Sequence, residues 1–298
     1  MRFSHSRLGY ELAYSGKLTK PTNLSDPDGS SRVKMTGLER FYIRVFGLPD
    51  TIEQQQARSV LNVLQGRSFS SLLDVGCRQG HYAIRIAMLH PNVEVRGIDI
   101  DGESVLEGES VRKVLGLKNL SFEKEDVFSL QSKGSYDVVL LLQVMEHLVD
   151  DLTALRNVHR ILRDAGILVI TVPNLNLKSE RTRKLRKYVK IQSHVRQGYR
   201  PADMERLLAQ TGFRIQRIEF LSGVIGQRVE RTERFLKTYV PSLFALAYPL
   251  CYFLSLLDVR PQEKDNVSTS GMLIVATPSK CARSFEFSDP AALERFLD

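Results

Sequence analysis

Apolar residues fall in short unbroken runs, and amphipathic segments lie between them. The runs are at 71–75 (SLLDV), 93–100 (VEVRGIDI), 120–125, 136–142 (YDVVLLL), 166–172 (GILVITV), 213–221 (FRIQRIEFL) and 272–278 (MLIVATP). Continuous Val, Ile and Leu without alternation suits strands of a parallel sheet covered on both faces. The intervening segments predict helices at 80–90, 103–116 and 151–163. In the first of these Ala83, Ile84, Ala87 and Met88 recur at i, i+3/i+4 spacing. Two helices precede the first strand, a short one at 37–47 and a longer one at 50–64. Asp50 caps the longer helix, Ile52, Val60, Leu61 and Leu64 form its apolar stripe, and Gly66 ends it. Pro201 opens another helix over 202–210, ended by Gly212. Gly116 and Gly166 follow helices as C-terminal caps do. Strand–helix alternation of this kind implies an α/β fold with a doubly wound sheet.

Composition fits a packed domain with additions: 298 residues, 43% hydrophobic and 26% charged. Residues 1–36 are polar, with a Pro/Asp/Gly/Ser cluster at 25–31, and read as a flexible extension. Residues 37–66 form the N-terminal helices. The core takes 67–221 and 271–280, and 281–298 form a tail. About fifty residues part the last two strands, far beyond a hairpin loop, so 222–270 reads as a structured insertion. Cys77, Cys251 and Cys281 are odd in number and widely spaced, with neither metal-ligand spacing nor a disulfide framework. That usage suits a reducing, cytoplasmic compartment. The first ten residues lack the apolar core of a signal peptide.

The net charge of +8 is local. Residues 178–200 carry nine lysines and arginines against one acid, Glu180, so the rest of the chain is about neutral. The stretch follows the fifth strand, near the mouth of a site at the strand ends. It suits an anionic acceptor, an anionic membrane surface or RNA, and otherwise a solvated helix face. Nucleic acid is the weakest of these, because no RNA-binding module accompanies Tyr188 and Tyr199. Residues 238–257 run twenty positions without a charge, but Pro241 and Pro249 interrupt them. Their place between two strands of one sheet favours a helical cap over an acceptor pocket. A homodimer contact or shallow membrane insertion comes next, and a true span last.

The candidate chemistry centres on 71–87, a strand, a glycine-bearing turn and the start of a helix. Gly76 and Gly80 bracket the turn, which aims a helix N-terminus above the sheet. The spacing is G-x-x-x-G, neither the dinucleotide fingerprint nor a phosphate loop. In open α/β sheets ligands bind beyond the carboxyl ends of the strands. The first strand delivers Asp74 there. The second delivers Asp99, whose carboxylate can accept both hydroxyls of a ribose. The third ends at Glu125, Asp126 and Val127, an acid for an adenine amine and an N–H for a ring nitrogen. The fourth ends in QVMEH and the fifth in TVPN. Asp101 or Asp126 taken alone would more often be a helix cap.

The ordered series LLDVGCRQG, VRGIDID, FEKEDVFSL, YDVVLLLQVMEHL and LRDAGILVITVPN resembles the class I S-adenosylmethionine-dependent methyltransferases. HVRQGYRPADMERLLAQTGF at 194–213 extends the resemblance toward the small-molecule and quinone-type O-methyltransferases. It implies a seven-stranded, mostly parallel Rossmann-like sheet with an antiparallel pair at one edge. It also implies S-adenosylmethionine as co-substrate, with no metal. Carried over, Asp74, Gly76, Cys77 and Gly80 meet the methionine part. Asp99, with Ile100 beside it, meets the ribose, Asp126 and Val127 meet adenine, and Gln143 lies near the sulfur. Arg78 departs from the family's usual glycine; if the position needs positive φ, arginine costs about 1–3 kcal/mol. The expected reaction is methyl transfer to a hydroxyl of a small or amphiphilic acceptor, with a lipid, quinone or glycan-linked body. His147, in the turn after the fourth strand, is the first candidate base, with bracing of that turn as its structural alternative. His194 is the second candidate. The competing expectations are an RNA or protein acceptor and a non-catalytic relative that binds the donor. QVMEH is not the Asn/Asp-Pro-Pro-Tyr/Phe pattern of base methylation.

Overall fold

A computed structural model describes residues 51–130, 135–175, 195–221, 224–240, 247, 250–251, 253–255 and 271–279. The expected extension at 1–36, the short helix at 37–47 and the tail at 281–298 lie outside the described residues. So do His194, Asp50 and most of 178–200. The strands are β1 Ser71–Val75, β2 Glu94–Asp99, β3 Leu120–Lys124, β4 Tyr136–Leu142, β5 Leu162–Pro173, β6 Phe213–Leu221 and β7 Gly271–Pro278. They form a seven-stranded sheet in the order β3-β2-β1-β4-β5-β7-β6. The neighbours from β3 to β5 pair in parallel, and β7 runs antiparallel between β5 and β6. The order reverses between β1 and β4, which opens a crevice at their carboxyl ends.

The helices are α1 Thr51–Leu64, α2 His81–Leu89, α3 Gly102–Leu115, α4 Asp151–Ile161, α5 Pro201–Gln210 and α6 Val224–Tyr239. They cover both faces, as the unbroken apolar strands require. Leu72, Val138 and Leu140 pack with Val63 and Leu64 of α1, Ala83 and Ile86 of α2 and Val105 and Val111 of α3. The alternate positions Leu73, Val139 and Leu141 pack with Leu155, Val158 and Ile161 of α4 and Met204 and Leu208 of α5.

One boundary differs from the periodicity. Gly166 is not a helix cap: α4 stops at Ile161, and β5 begins directly at Leu162. Pairing jumps from Tyr136–Leu162 to Val138–Ile167, so 163–166 bulge out of the ladder. A side chain at Gly166 would meet the Asp137 carbonyl at 3.0 Å. Gly116 does cap α3, with φ of 68°.

The described part of the 222–270 insertion is helical, mainly α6, which packs on α1. Gln55 of α1 donates to the Ser255 carbonyl at 3.4 Å. Tyr82, at the start of α2, donates to Gln56 at 3.1 Å. Among the described residues no helix is long and apolar enough to cross a membrane.

Candidate active site

The glycine turn is stitched to the end of β2 by backbone bonds. Gly76 and Cys77 both donate to the Ile98 carbonyl, at 2.8 and 3.0 Å. Gly80, at φ 78°, turns the chain into α2, and a Cβ there would lie 2.1 Å from the Phe122 ring. Glycine is required at that position both by conformation and by space. Arg78 also takes the left-handed conformation, with φ of 50°. The position therefore carries the strain foreseen for a non-glycine residue. Its N–H donates to Asp99 Oδ2 at 2.8 Å, while Asp101 N–H donates to Asp99 Oδ1 at 2.9 Å. Each Asp99 oxygen retains a second lone pair for a further donor.

Asp74 ends β1 only 2% exposed, and its Oδ2 has no hydrogen-bond partner. Burial pushes its pKa from 3.8 up to about 7, and the Asp99 charge adds to the rise. The Ala83 N–H in the first turn of α2, and His81, oppose it. One N-terminal amide of α2 is thus already engaged by this carboxyl. Cys77 beneath the turn is buried. Burial and the charges of Asp74 and Asp99 hold its thiol above its ordinary range, so it is an unreactive small residue.

Ile100, next after β2, is 67% exposed, an apolar surface open at the strand ends. Asp126 caps the short turn Val127–Ser129 by accepting from Phe128 N–H at 3.1 Å. Val127 is buried. Asn157 of α4 fastens this turn from below, donating to the Val127 and Phe128 carbonyls at 3.1 and 3.0 Å.

At the end of β4, Gln143 is the second non-glycine residue with positive φ, 57°. Thr171 of β5 holds it: Gln143 N–H donates to the Thr171 carbonyl at 2.9 Å, and its side-chain amide to Thr171 Oγ1 at 3.3 Å. A turn, Met145–His147, follows. His147 sits half-buried there, its N–H donating to the Val144 carbonyl at 2.9 Å. Glu146 beside it is 1% exposed, with Oε2 unpartnered. Burial raises its pKa to about 7, against the pull of its own backbone N–H and of Arg78.

The described residues on either side of 176–194 are bonded at the ends of β4 and β5. Leu175 N–H donates to the Tyr199 carbonyl and Tyr199 N–H to the Pro173 carbonyl, each at 3.0 Å. Val195 and Arg196 N–H groups donate to the Glu146 carbonyl at 3.0 and 3.2 Å. The Arg196 guanidinium pairs with Asp151 and donates to the Leu148 carbonyl at 2.9 Å and to Tyr199 Oη at 2.8 Å. Tyr199 Oη donates to the Met145 carbonyl at 2.9 Å.

The sequence-predicted residues Asp74, Gly76, Cys77, Gly80, Asp99, Ile100, Asp126, Val127, Gln143 and His147 thus lie at the carboxyl ends of β1 to β4 or in the turns that follow. Sequence reading named Glu146 and Tyr199 without giving either a role in the site, and it did not single out Thr171, Asn157 or the Arg196–Asp151 pair.

Residues 68–220 match the family model described as a methyltransferase domain. Among similar proteins, the O-methyltransferase resE of Aspergillus sclerotiorum is 26% identical over 192 residues, 64% of this chain and 70% of that protein. The ubiquinone biosynthesis O-methyltransferase of Vibrio parahaemolyticus is 27% identical over 160 residues, 51% of this chain and 67% of the relative. A solved structure described as a sarcosine dimethylglycine methyltransferase, from Galdieria sulphuraria, superposes with a TM-score of 0.56 at 14% identity. The superposition covers 80% of this chain and 97% of that one, a likeness of fold alone. With a matching domain over half its length, the expected strand order and a glycine turn at the switch point, the chain belongs to the class I S-adenosylmethionine-dependent methyltransferases.

Proposed function

We propose that the chain transfers a methyl group from S-adenosylmethionine to a hydroxyl of a small or amphiphilic acceptor. The observation that carries this reading is the row of donor-type residues at adjacent strand ends: Asp74, Asp99, Asp126 and Gln143. The residues fit the donor. The orphaned Oδ2 of buried Asp74 suits its ammonium. The spare lone pairs of Asp99 suit the ribose hydroxyls, exposed Ile100 an aromatic face, and Asp126 with the Val127 N–H the adenine edge. When bound, S-adenosylmethionine supplies a methyl group already activated on a sulfonium.

The protein's work is then alignment, exclusion of water and removal of one proton from the acceptor. Gln143 lies on the β4 side of the crevice, where the sulfur is expected. Its fixed left-handed backbone and its bonds to Thr171 give it a single orientation. His147, in the next turn, takes the hydroxyl proton, with His194 as the second base.

The hydroxyl acceptor draws support from the O-methyltransferases among the relatives. Its amphiphilic character rests on two sequence features. The basic 178–200 stretch follows β5 in sequence and suits an anionic group or membrane surface. The apolar 238–257 stretch suits a cap over an apolar body, or a contact with a second copy. Incubation with isotope-labelled donor and a cell extract, then separation into lipid, small-molecule, RNA and protein fractions, tests this. Label in the lipid or small-molecule fraction is the expected result. Label in RNA or protein overturns the acceptor assignment.

A further inference from the structure

The insertion after β6 keeps an outer face in contact with solvent. Val229, Glu233 and Leu236 of α6 are buried, on the side that packs into the fold. Away from them, Ile225, Arg228, Thr232, Phe235 and Tyr239 follow one another at steps of three and four residues. They therefore share a face of the helix, and all five are exposed. Phe235 is 57% exposed and Tyr239 71%, with their rings 5.0 Å apart. Arg231 borders the same face and is exposed too. Among the described side chains of α6 the one acid is Glu233, so each exposed charge described on this helix is an arginine.

The apolar surface continues past the helix. Val240 is exposed at its end, and farther on Leu250, Phe253 and Leu254 are exposed while Cys251 and Ser255 are buried. The Ser255 carbonyl accepts from Gln55 of α1, so this second apolar row is held by the helix on which α6 packs.

The mixture of side chains selects the counterpart. Paired with a second copy, the face would bury Arg228 and Arg231 against a surface of the same sign, with no acid described on it to meet them. Stacked nucleic-acid bases would use the two rings and leave Ile225, Leu250 and Leu254 idle, because aliphatic side chains offer no stacking plane. An anionic lipid surface uses all of them. Rings settle among the headgroups, aliphatic chains reach the acyl boundary, and arginine stems lie along the apolar surface with their guanidinium groups at lipid phosphates.

We propose that the outer face of α6, with the row Leu250, Phe253 and Leu254, docks the protein on an anionic lipid surface. The docking face belongs to the insertion and not to the strand ends, so the proposal does not depend on the donor site. Its residues are also other than those of the basic 178–200 stretch, and the test separates the two.

The chain contains no tryptophan, so Phe235→Trp in the full chain places a single reporter on this face. Its emission should shift to the blue with vesicles of phosphatidylcholine mixed with phosphatidylglycerol, and brominated acyl chains should quench it. Vesicles of phosphatidylcholine alone should give a far smaller response. In vesicle co-sedimentation, Arg228→Gln with Arg231→Gln should weaken binding to the anionic vesicles roughly ten- to thirty-fold, about fivefold for each basic residue near the surface. Phe235→Ser with Tyr239→Ser should weaken it roughly tenfold or more. Circular dichroism checks that each variant is folded. Vesicle binding that neither pair of substitutions reduces would assign the affinity to the 178–200 stretch. An emission already blue without vesicles, and dependent on protein concentration, would mean that a second copy covers the face. Binding of single-stranded RNA in place of vesicles, lost in the same variants, would make it a nucleic-acid surface. Each of these results, like failure of the wild type to bind anionic vesicles, overturns the proposal.

Discussion

Replacing Asp74 by asparagine should make the ligand-free protein more stable at alkaline than at acid pH, relative to wild type. Asp74 is buried, and its pKa stands at about 7 against an ordinary 3.8. A carboxyl raised in the fold favours folding while protonated. Its contribution is complete below the unfolded value and is lost as pH rises through about 7. At about 1.4 kcal/mol for each tenfold difference in proton affinity, wild type loses roughly 2–3 kcal/mol from this group between about pH 5 and about pH 8. Asparagine does not titrate, and its oxygen can still accept the Ala83 N–H. Glu146 and the other titrating groups are common to both proteins and largely cancel in the comparison. Urea unfolding of both proteins at the two pH values measures the difference. The asparagine variant should gain about 2–3 kcal/mol on wild type between them. A difference that stays flat would mean that Asp74 ionises as a surface carboxylate, and the burial argument would be refuted.

Asn157→Ala should strip the Val127–Ser129 turn of its two supporting bonds and cost about 1–3 kcal/mol in urea unfolding. Donor-analogue affinity should fall with it, read by calorimetry at a temperature where both proteins stay folded. Arg196→Ala leaves buried Asp151 unpaired and should cost on the order of 3 kcal/mol. Arg196→Lys should recover only part of this, because one ammonium cannot reproduce a fork that reaches Asp151, Tyr199 and the Leu148 carbonyl together.

The strands and the acids that end them were legible because two local rules fix them. Apolar runs mark strands covered on both sides, and an open α/β sheet gathers ligands at its carboxyl ends. The strain at Arg78 was legible too, as a long side chain in a glycine position. What escaped depends on partners distant in sequence. Nothing near Glu146 shows that its side chain is sealed in with Oε2 unpaired. Nothing near Gln143 shows that Thr171, from the neighbouring strand, props it in a left-handed conformation. Gly166 misled for a related reason. A glycine just past a helical pattern reads as a cap, but a Cβ there would meet Leu162 Cγ at 2.8 Å and the Arg163 and Asp137 carbonyls at 3.0 Å, so the bulge itself and the paired strand together crowd the position. The Arg196–Asp151 pair joins segments far apart in the chain, and neither residue is distinctive in its own segment.

The most direct test of the donor site is calorimetric titration of S-adenosylhomocysteine into wild-type protein and Asp99→Asn, with folding of both checked by circular dichroism. Wild type should bind at one site per chain. Asp99→Asn keeps the size of the side chain but loses the carboxylate, and its affinity should fall roughly ten- to a hundred-fold. A folded wild type that binds nothing, or an Asp99→Asn variant that binds as tightly, would contradict a donor site at these strand ends.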